Sequence, residues 1–279
     1  MNKILARQEL SPNVTLLRID APLVARKCEP GQFIILRTDE NGERIPLTVA
    51  DYDRENGTVT VIFQVAGAST EKLNHMMPGE YLQDFAGPLG RMTQTAGLNK
   101  VCVIGGGVGC AIAYPVAKKL HRQGAQVDAV IGFRSSDYAI LENEFAQNST
   151  RLFRMSDDGS FGEKGFVTDA LKRLLESGEQ YDEVIVIGPL PMMKAVCALT
   201  KEYGVKTIAS MNPVMIDGTG MCGGCRLTVG GQVKFACVDG PEFDGHLIDF
   251  DEAIARNSQY REFERHAYEE TCNLFREVK

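Results

Sequence analysis

The first hundred residues alternate between apolar and polar positions in short runs. In the clearest run, 58–64, Val59, Val61 and Phe63 share one face and mostly polar residues share the other. A period of two predicts a half-buried strand. Weaker alternation predicts further strands over 13–20, 31–38, 44–50 and 80–85, separated by turn-formers. Short strands at this spacing favour an antiparallel β-barrel or sandwich, interrupted by one short helix at 70–77.

At about residue 98 the pattern changes to strands alternating with helices. Apolar runs predict strands at 101–104, 127–132, 151–155, 183–188 and 206–210. Helical patterns lie between them at 109–122, 138–146, 166–177 and 192–203. This alternation predicts an α/β domain with a parallel sheet. The predicted organisation is therefore a β-barrel domain (1–97), an α/β nucleotide-binding domain (98–210), a small Gly- and Cys-rich segment (211–249) and a charged helical tail (250–279).

Composition limits the possible partners and the compartment. The 279 residues carry 30 Lys plus Arg and 37 Asp plus Glu, a net charge of −7. This charge argues against nucleic acid or an anionic membrane surface as the partner, since both attract basic proteins. No apolar run reaches the length of a membrane-spanning helix. Lys3 and Arg7 come too early for a secretory signal, so we expect a cytoplasmic protein with reduced thiols.

Three of the eight cysteines cluster near the C-terminus. Cys222, Cys225 and Cys237 fall within sixteen residues, and Asp217 precedes Cys222 by five positions. Asp-x4-Cys-x2-Cys-x11-Cys matches the spacing of plant-type [2Fe–2S] sites, with Asp in the first position. A structural zinc site, unrelated free thiols, or a turn role for Asp217 remain alternatives. Among the other cysteines, three lie in apolar contexts that predict buried side chains and two have no companion: Cys102, Cys110 and Cys197, then Cys28 and Cys272.

A glycine-rich turn joins the first predicted strand of the α/β domain to its first helix. It consists of Gly105, Gly106, Gly107, Val108 and Gly109. Such a turn lets phosphate approach backbone amides at a helix N-terminus. The dinucleotide fingerprint would need Gly or Ala at position 110, where this chain has Cys, so a plain strand-to-helix turn is the alternative.

A second candidate loop follows the predicted strand 183–188. Ligands of open α/β sheets bind outside the carboxyl ends of the strands. Gly188, Pro189 and Met192 lie at such an end, and Gly188 would let a nicotinamide ring approach the backbone. These features together predict a nicotinamide site.

These motifs resemble those of the ferredoxin–NADP reductase superfamily, which joins a flavin-binding barrel to a nicotinamide-binding α/β domain. The run Arg44, Ile45, Pro46, Leu47 and Thr48 resembles the family's flavin motif, although Arg44 lies one residue further from Thr48 than the family's arginine does from its serine. The resemblance implies that further residues bind FAD, along the ring or at its pyrophosphate: Ile62, Phe63 and Gln64, then Gly67, Ser69 and Thr70. For Ser69 and Thr70 the alternative is an ordinary helix N-cap.

The cysteine segment is similar to that of dihydroorotate dehydrogenase electron-transfer subunits, and more closely to that of the small subunits of NADH-dependent reduced ferredoxin:NADP oxidoreductases. This resemblance implies FAD, NAD(H) and a [2Fe–2S] cluster held by Asp217, Cys222, Cys225 and Cys237. It also implies a heterodimer with a larger iron–sulfur flavoprotein subunit, which performs electron bifurcation and through which ferredoxin is reached. The alternatives are a dihydroorotate dehydrogenase subunit and a zinc-containing nucleotide-binding protein.

Two further expectations concern specificity and the tail. NADPH users of the superfamily place a Ser-Arg pair after the third strand, where this chain has Ser156 and Asp157. Asp157 would repel a 2′-phosphate, which predicts NAD(H). Arg134 in the neighbouring loop is the counter-indication, and a solvated loop is the alternative for Asp157. The tail either packs on its own chain or docks on the larger subunit through four aromatic residues: Tyr260, Phe263, Tyr268 and Phe275.

Overall fold

The computed structural model describes residues 2–277, with side chains described as far as Cys272. The N-terminal part is an antiparallel sheet that curves into a near-barrel around its own apolar core. Its strands lie in the order β6-β1-β2-β5-β4-β3-β7. They are β1 (Asn2–Ser11), β2 (Val14–Asp20), β3 (Phe33–Arg37), β4 (Ile45–Asp53), β5 (Thr58–Gln64), β6 (Tyr81–Leu82) and β7 (Asp84–Leu89). Helices α1 (Pro22–Lys27) and α2 (Ala68–His75) complete it.

The sequence predicted most of this part, with three differences. Strand β1 was missed because only Ile4 among its first nine residues is fully buried, so polar side chains hide the alternation. The predicted strand 80–85 divides into β6 and β7, which pair with different neighbours. Helix α1 was also missed, whereas α2 occupies the predicted helical position two residues earlier.

The second sheet is parallel except at one edge. Its order is β11-β10-β9-β8-β12-β13-β16, and β16 runs antiparallel to β13. The strands are β8 (Lys100–Gly106), β9 (Gln126–Phe133), β10 (Arg151–Ser156), β11 (Glu163–Lys164), β12 (Glu183–Ile187), β13 (Thr207–Ser210) and β16 (Glu242–Asp244). The covering helices are α3 (Cys110–Arg122), α4 (Glu142–Gln147), α5 (Val167–Glu176) and α6 (Leu190–Glu202). The predicted α/β fold is confirmed; β11 and β16 were not predicted, and α4 is shorter than expected.

The cysteine segment lies between β13 and β16. It contains a two-stranded hairpin of β14 (Arg226–Val229) and β15 (Gln232–Phe235), followed by the short helix α7 (Ala236–Asp239). The segment then returns to the main sheet as β16. This return explains why the segment belongs to the α/β layer and shares its core with helices α5 and α6.

Ion pairs and apolar contacts join the two large parts. Helix α3 packs against β4, where Lys118 Nζ lies 2.7 Å from Asp51 Oδ2. The next residue, Lys119, lies 3.0 Å from Glu29 Oε2 of the barrel. Barrel residues such as Ile62 share a core with α3. The barrel therefore packs against α3, the helix that directly follows the glycine-rich turn.

The tail forms two helices, α8 (Phe250–Ser258) and α9 (Arg261–Glu277). Helix α9 packs against α2 of the barrel, and Thr271 is buried. Tyr260 and Phe263 remain exposed, whereas Tyr268 is half-buried. Phe275 lies outside the described side chains. Packing on its own chain thus accounts for part of the tail, and its exposed aromatic residues remain candidates for docking. Within residues 2–277 we found no helix of the length and apolarity required to cross a membrane.

Candidate functional site

A crevice of about 750 Å³ separates the barrel from the carboxyl ends of the parallel strands. Its barrel wall includes Pro46, Thr48 and Gln64. The opposite wall contains most of the residues predicted to bind NAD(H): Gly106, Gly107, Val108, Gly109, Arg134, Asp157, Gly188, Pro189 and Met192. The tertiary structure therefore brings motifs from both predicted nucleotide sites to one cavity.

Strand alternation decides which barrel residues reach the crevice. Pro46 and Thr48 line it, whereas Ile45 and Leu47 turn into the barrel core. Phe63 is likewise in the barrel core, with only 2% of its surface exposed. Ile62 faces α3, and Gln64 lines the crevice. The side chains of Ile45, Leu47 and Phe63 therefore point away from the crevice, because successive side chains of a strand point to opposite faces. FAD contact at these three positions stays a prediction, and it would have to involve their backbone groups.

Arg44 and the residues at the start of α2 are not among the residues that line the crevice. Arg44 is exposed just before β4. At the start of α2, the Thr70 hydroxyl accepts hydrogen bonds of 3.0 Å from the amides of Ala66 and Gly67, and it donates to the Gly67 carbonyl. The Ser69 hydroxyl donates to the Glu43 carboxylate. The N-cap residue of α2 is thus Gly67, and Thr70, at the third position of the helix, closes the helix start by bonding back to it. The alternative of an N-cap at Ser69 or Thr70 is therefore wrong, and their contact with FAD stays a prediction.

The glycine-rich turn packs closely against the neighbouring backbone and side chains. Strand β8 continues through Gly106, and a single 3₁₀ turn, Gly107–Gly109, precedes α3. A Cβ added to Gly109 would lie 2.5 Å from the Ile187 carbonyl oxygen, which is backbone that cannot yield. Gly105 packs against the Cys110 thiol and does not line the crevice. The crevice-facing glycines are therefore Gly106, Gly107 and Gly109.

Charged and aromatic residues surround the outer part of the crevice. Arg134 and Asp157 line it from neighbouring loops, together with the partly exposed rings of Tyr138 and Phe166. The Asp158 carboxylate instead accepts bonds from the Ser160 amide at 2.9 Å and the Ser160 hydroxyl at 2.7 Å, and these bonds lower its pKa. The two acids thus differ: Asp158 orders its own loop, and Asp157 faces the cavity.

Sequence reasoning missed several residues that line the crevice. Phe33 contributes from β3, and Met211, Met215 and Pro241 contribute from the cysteine segment and its return. Met211 follows the carboxyl end of β13, so the rule that located Gly188 could have located it too. The sequence contains little indication that residues 211–215 line a crevice, because they have no periodic pattern of apolar and polar positions.

The four predicted cluster ligands form two linked pairs. The sulfurs of Cys225 and Cys237 are 3.2 Å apart in the interior. Asp217 accepts hydrogen bonds from the amides of Thr219 at 2.9 Å and Cys222 at 3.0 Å, and Cys222 is exposed. Backbone bonds lower the pKa of Asp217, with the Thr219 amide contributing most, which keeps it anionic. Burial, and then the neighbouring Cys225 thiol, raise the pKa of Cys237 to about 12.

The two pairs supply the donors that a dinuclear cluster requires, one carboxylate and three thiols. A [2Fe–2S] cluster needs two protein ligands on each iron. Backbone amides already point at sulfur: Gly224 donates to Cys222 at 3.4 Å and Cys237 donates to Cys225 at 3.4 Å. Such hydrogen bonds to sulfur are a feature that tunes iron–sulfur clusters.

Residues 217–225, which we call the cysteine loop, lie directly on the outer face of the barrel. Gly218 adopts φ +72°, and a Cβ there would lie 2.6 Å from the Ile35 side chain. Phe33 and Ile35 of β3 share one core with Cys225 and Cys237. Phe33 also lines the crevice. One strand of the barrel therefore contacts both the crevice and the core around the buried cysteine pair.

Comparisons with known proteins agree with this geometry. Residues 212–249 match the family model "Iron-sulfur cluster binding domain of dihydroorotate dehydrogenase B", and residues 103–198 match "Oxidoreductase NAD-binding domain". The chain is 44% identical to a protein of Thermotoga maritima described as a "Dihydroorotate dehydrogenase B (NAD(+)), electron transfer subunit homolog", over 96% of this chain and 95% of that one. It is 32% identical to the dihydroorotate dehydrogenase B electron transfer subunit of Desulforamulus reducens, over 86% of this chain and 94% of that one.

Solved structures of oxidoreductases are similar to this chain as well. A chain from the structure of an NADH-dependent reduced ferredoxin–NADP oxidoreductase, described in terms of flavin-based electron bifurcation, superposes with a TM-score of 0.91 at 43% identity, over 97% of both chains. A ferredoxin reductase of carbazole 1,9a-dioxygenase superposes with a TM-score of 0.60 at 19% identity, over 73% of this chain and 65% of that one, which shows a shared fold.

Proposed function

Because the chain belongs to the family of dihydroorotate dehydrogenase B electron-transfer subunits and their homologues, we propose that it passes electrons between NAD(H), FAD and a [2Fe–2S] cluster within a bifurcating NADH-dependent ferredoxin:NADP oxidoreductase. The chain is an oxidoreductase subunit with an NAD-binding domain and an iron–sulfur segment. The observation that carries the proposal is the shared crevice, which is lined by Pro46, Thr48 and Gln64 of the predicted FAD site, by most of the predicted NAD(H) residues, and by Met211 and Met215 of the cysteine segment.

The bound groups supply the electron chemistry: nicotinamide and flavin exchange a hydride, and the cluster takes electrons singly. The chain binds and orients these groups. Gly106, Gly107 and Gly109 leave room for a diphosphate at the start of α3, where amides and the helix dipole favour negative charge. Pro46, Thr48 and Gln64 present the barrel wall to the flavin ring. Gly188 leaves space for the nicotinamide ring above β12.

The pyrophosphate of FAD would rely on backbone amides at the start of α2. The Thr70 and Ser69 hydroxyls already have partners, and Ser69 donates to the Glu43 carboxylate. An anion at this position would compete with Glu43 for Ser69. Arg44 is adjacent in sequence to Glu43 and exposed, and it is the cation we propose as the partner of the phosphate.

The cluster ligands proposed are Asp217, Cys222, Cys225 and Cys237. The match of residues 212–249 to an iron–sulfur cluster binding family model supports a [2Fe–2S] cluster over the zinc alternative. Cys222 and the apolar side chains near it, among them Met221 at 87% exposure, open the loop toward a partner. We place the larger iron–sulfur flavoprotein subunit on this face, and ferredoxin would be reached through that subunit.

A dihydroorotate dehydrogenase role is the second candidate. The dihydroorotate dehydrogenase B electron transfer subunits of Desulforamulus reducens and Fusobacterium nucleatum are 32% and 30% identical to this chain over 86% and 84% of it, whereas the chain from the bifurcating enzyme is 43% identical over 97% of it. This difference favours the bifurcating role.

Identification of the co-purifying chain tests the proposal. Anaerobic affinity purification from the source cells, followed by mass spectrometry, should recover a larger flavoprotein rich in iron–sulfur motifs. The absorption spectrum of the complex should show flavin bands near 450 nm with broad iron–sulfur shoulders. Recovery of a dihydroorotate-oxidising subunit would favour the second candidate, and a colourless zinc protein would refute both.

A further inference from the structure

Three arginines from separate parts of the chain converge on the cysteine loop. Arg226 Nη1 donates to the Gly223 carbonyl and Arg256 Nη2 donates to the Gly224 carbonyl, each at 3.4 Å. Both carbonyls lie between Cys222 and Cys225. On the side of Cys237, Arg91 Nε donates to the Val238 carbonyl at 3.1 Å. A chain with a net charge of −7 therefore places positive charge around its cysteine loop.

The charges of Arg226 and Arg256 are not neutralised by a carboxylate. Among residues 2–272 neither arginine lies within 4 Å of an acidic side chain, although fifteen ion pairs occur there. On α8, Asp251 pairs with Lys194 at 2.6 Å. The next residue, Glu252, accepts the Thr228 amide at 3.1 Å.

Near Arg91 and Cys237, by contrast, acidic side chains lie close to the positive charge. Arg91 lies 4.0 Å from Asp239, which compensates part of its charge. Asp217 bonds to loop amides. The uncompensated positive charge near the loop therefore belongs to Arg226, which is exposed, and to Arg256, which is half-buried.

An iron–sulfur cluster becomes more negative when it accepts an electron. A nearby cation stabilises that reduced form, and the stabilisation weakens with distance and with exposure to salt solution. Net charge and hydrogen bonding are the protein's means of setting a cluster's reduction potential. Arg256 is half-buried and bonds to a carbonyl between the proposed ligands Cys222 and Cys225. It is therefore expected to affect the reduction potential more than an exposed arginine would.

We propose that Arg226 and Arg256 are positioning residues that hold the Cys222–Cys225 turn through its carbonyls and raise the reduction potential of the cluster. The inference rests on the proposed function, because it needs a cluster in this loop. Arg256 has the larger effect because it is less exposed, and Arg91 contributes less because Asp239 offsets it. The elevated potential makes the cluster a better acceptor for electrons leaving the flavin.

Redox titration of the purified holoprotein, followed by electron paramagnetic resonance, tests the inference. In Arg256→Gln the ratio of reduced to oxidised cluster at a fixed potential should fall about threefold to tenfold, and tenfold corresponds to about 59 mV for one electron. Arg256→Lys should restore the wild-type potential, because it keeps the charge. Arg226→Gln should shift the potential in the same direction by less, and this shift should shrink at high salt.

Arg261→Gln on the exposed start of α9 is the matched control and should leave the potential unchanged. Iron and FAD contents are measured for each variant. Should Arg256→Gln lose its cluster, Arg226→Gln and Arg256→Lys still decide the matter, since Arg226→Gln must shift and Arg256→Lys must not. Unshifted potentials in variants with intact clusters, or a Lys variant as low as the Gln variant, would overturn the inference. A wild-type protein without any cluster signal would instead overturn the proposed function.

Discussion

Thr93 Oγ1 donates a hydrogen bond of 2.6 Å to Glu242 Oε1, joining the linker after the barrel to the last strand of the second sheet. The contact is tight, because a Cβ at Gly31 would lie 2.5 Å from the same hydroxyl and 3.0 Å from the same carboxylate oxygen. Neighbouring backbone bonds, from Arg91 to Gly240 at 2.7 Å and from Met211 to Pro241 at 2.9 Å, complete the junction. The barrel, the crevice and the cysteine segment meet here.

This junction predicts a pH-dependent stability. Burial raises the pKa of Glu242 from its ordinary value of 4.5 to about 7. Between these values the native chain holds a proton that the unfolded chain releases, so the free energy of unfolding falls as pH rises through that window. Glu242→Gln removes this penalty and keeps an oxygen to accept from Thr93. We expect the variant to exceed wild type by about 1–3 kcal/mol above pH 7 and to match it near pH 4.

Urea unfolding at a series of pH values measures this effect. Glu262→Gln, an exposed change on α9, is the control and should reproduce the wild-type curve. Parallel curves for wild type and Glu242→Gln across the window would contradict the prediction.

Asp217 is predicted to be an iron ligand as well as a cap for its loop. Asp217→Asn keeps an oxygen that can accept the Thr219 amide but loses the charge that iron prefers, so we expect cluster content to fall. Asp217→Cys should retain a cluster with altered magnetic resonance signals. Iron and sulfide analysis measures both. Asp239→Asn is the matched control, because Asp239 accepts the Phe235 amide at 2.8 Å close to Cys237. A full, unchanged cluster in Asp217→Asn would restrict Asp217 to the capping role.

Nicotinamide preference should depend on Asp157. We expect wild-type flavin to be reduced faster by NADH than by NADPH at equal low concentration. Asp157→Ser removes a negative charge from the crevice and should lower the NADH-to-NADPH ratio of rates about tenfold or more, since a 2′-phosphate would no longer be repelled. Stopped-flow absorbance at 450 nm measures both rates. If wild type prefers NADPH, or if the variant keeps its ratio, Asp157 does not govern the choice.

Gly109 and Gly188 should respond differently to a methyl group. In Gly109→Ala the new Cβ meets the Ile187 carbonyl and the Gly188 backbone, and we expect a loss of about 1–3 kcal/mol in stability. In Gly188→Ala the nearest atom, at 2.5 Å, is the flexible end of Met192, so the loss should be smaller. Thermal unfolding compares the two. Equal destabilisation would mean that Met192 cannot move aside.

The tail should stabilise the barrel. Deletion of residues 261–279 uncovers the face of α2 that α9 covers, so we expect a lower melting temperature. Phe263→Ser alters a side chain that is 76% exposed and should leave the melting temperature unchanged. If the tail also docks on the larger subunit, Phe263→Ser should still weaken co-purification. A truncated chain that melts like wild type would show that the α9–α2 contact contributes little.

Local patterns in the sequence determined much of the fold and identified most residues of the crevice wall opposite the barrel. The alternation in 58–64 and the strand-to-helix rhythm after residue 98 arise from periodic burial, which each segment carries in its own residues. The spacing of Asp217, Cys222 and Cys225, on which the proposed ligand set depends, is likewise local, because all three residues lie in one short loop. The −7 charge bears on partners and does not select a fold.

Tertiary structure decided what no local pattern contains. It sent Ile45, Leu47 and Phe63 into the barrel while their neighbours Pro46, Thr48 and Gln64 lined the crevice, because only the sheet's curvature defines an inside. It placed Phe33 between the crevice and the buried cysteines, and it gathered Arg91, Arg226 and Arg256 on one loop. The three arginines lie far apart in sequence. Arg256 reaches the loop because α8 packs on β14, and Arg91 reaches the side of Cys237 because its backbone and side chain bond to Gly240 and Val238.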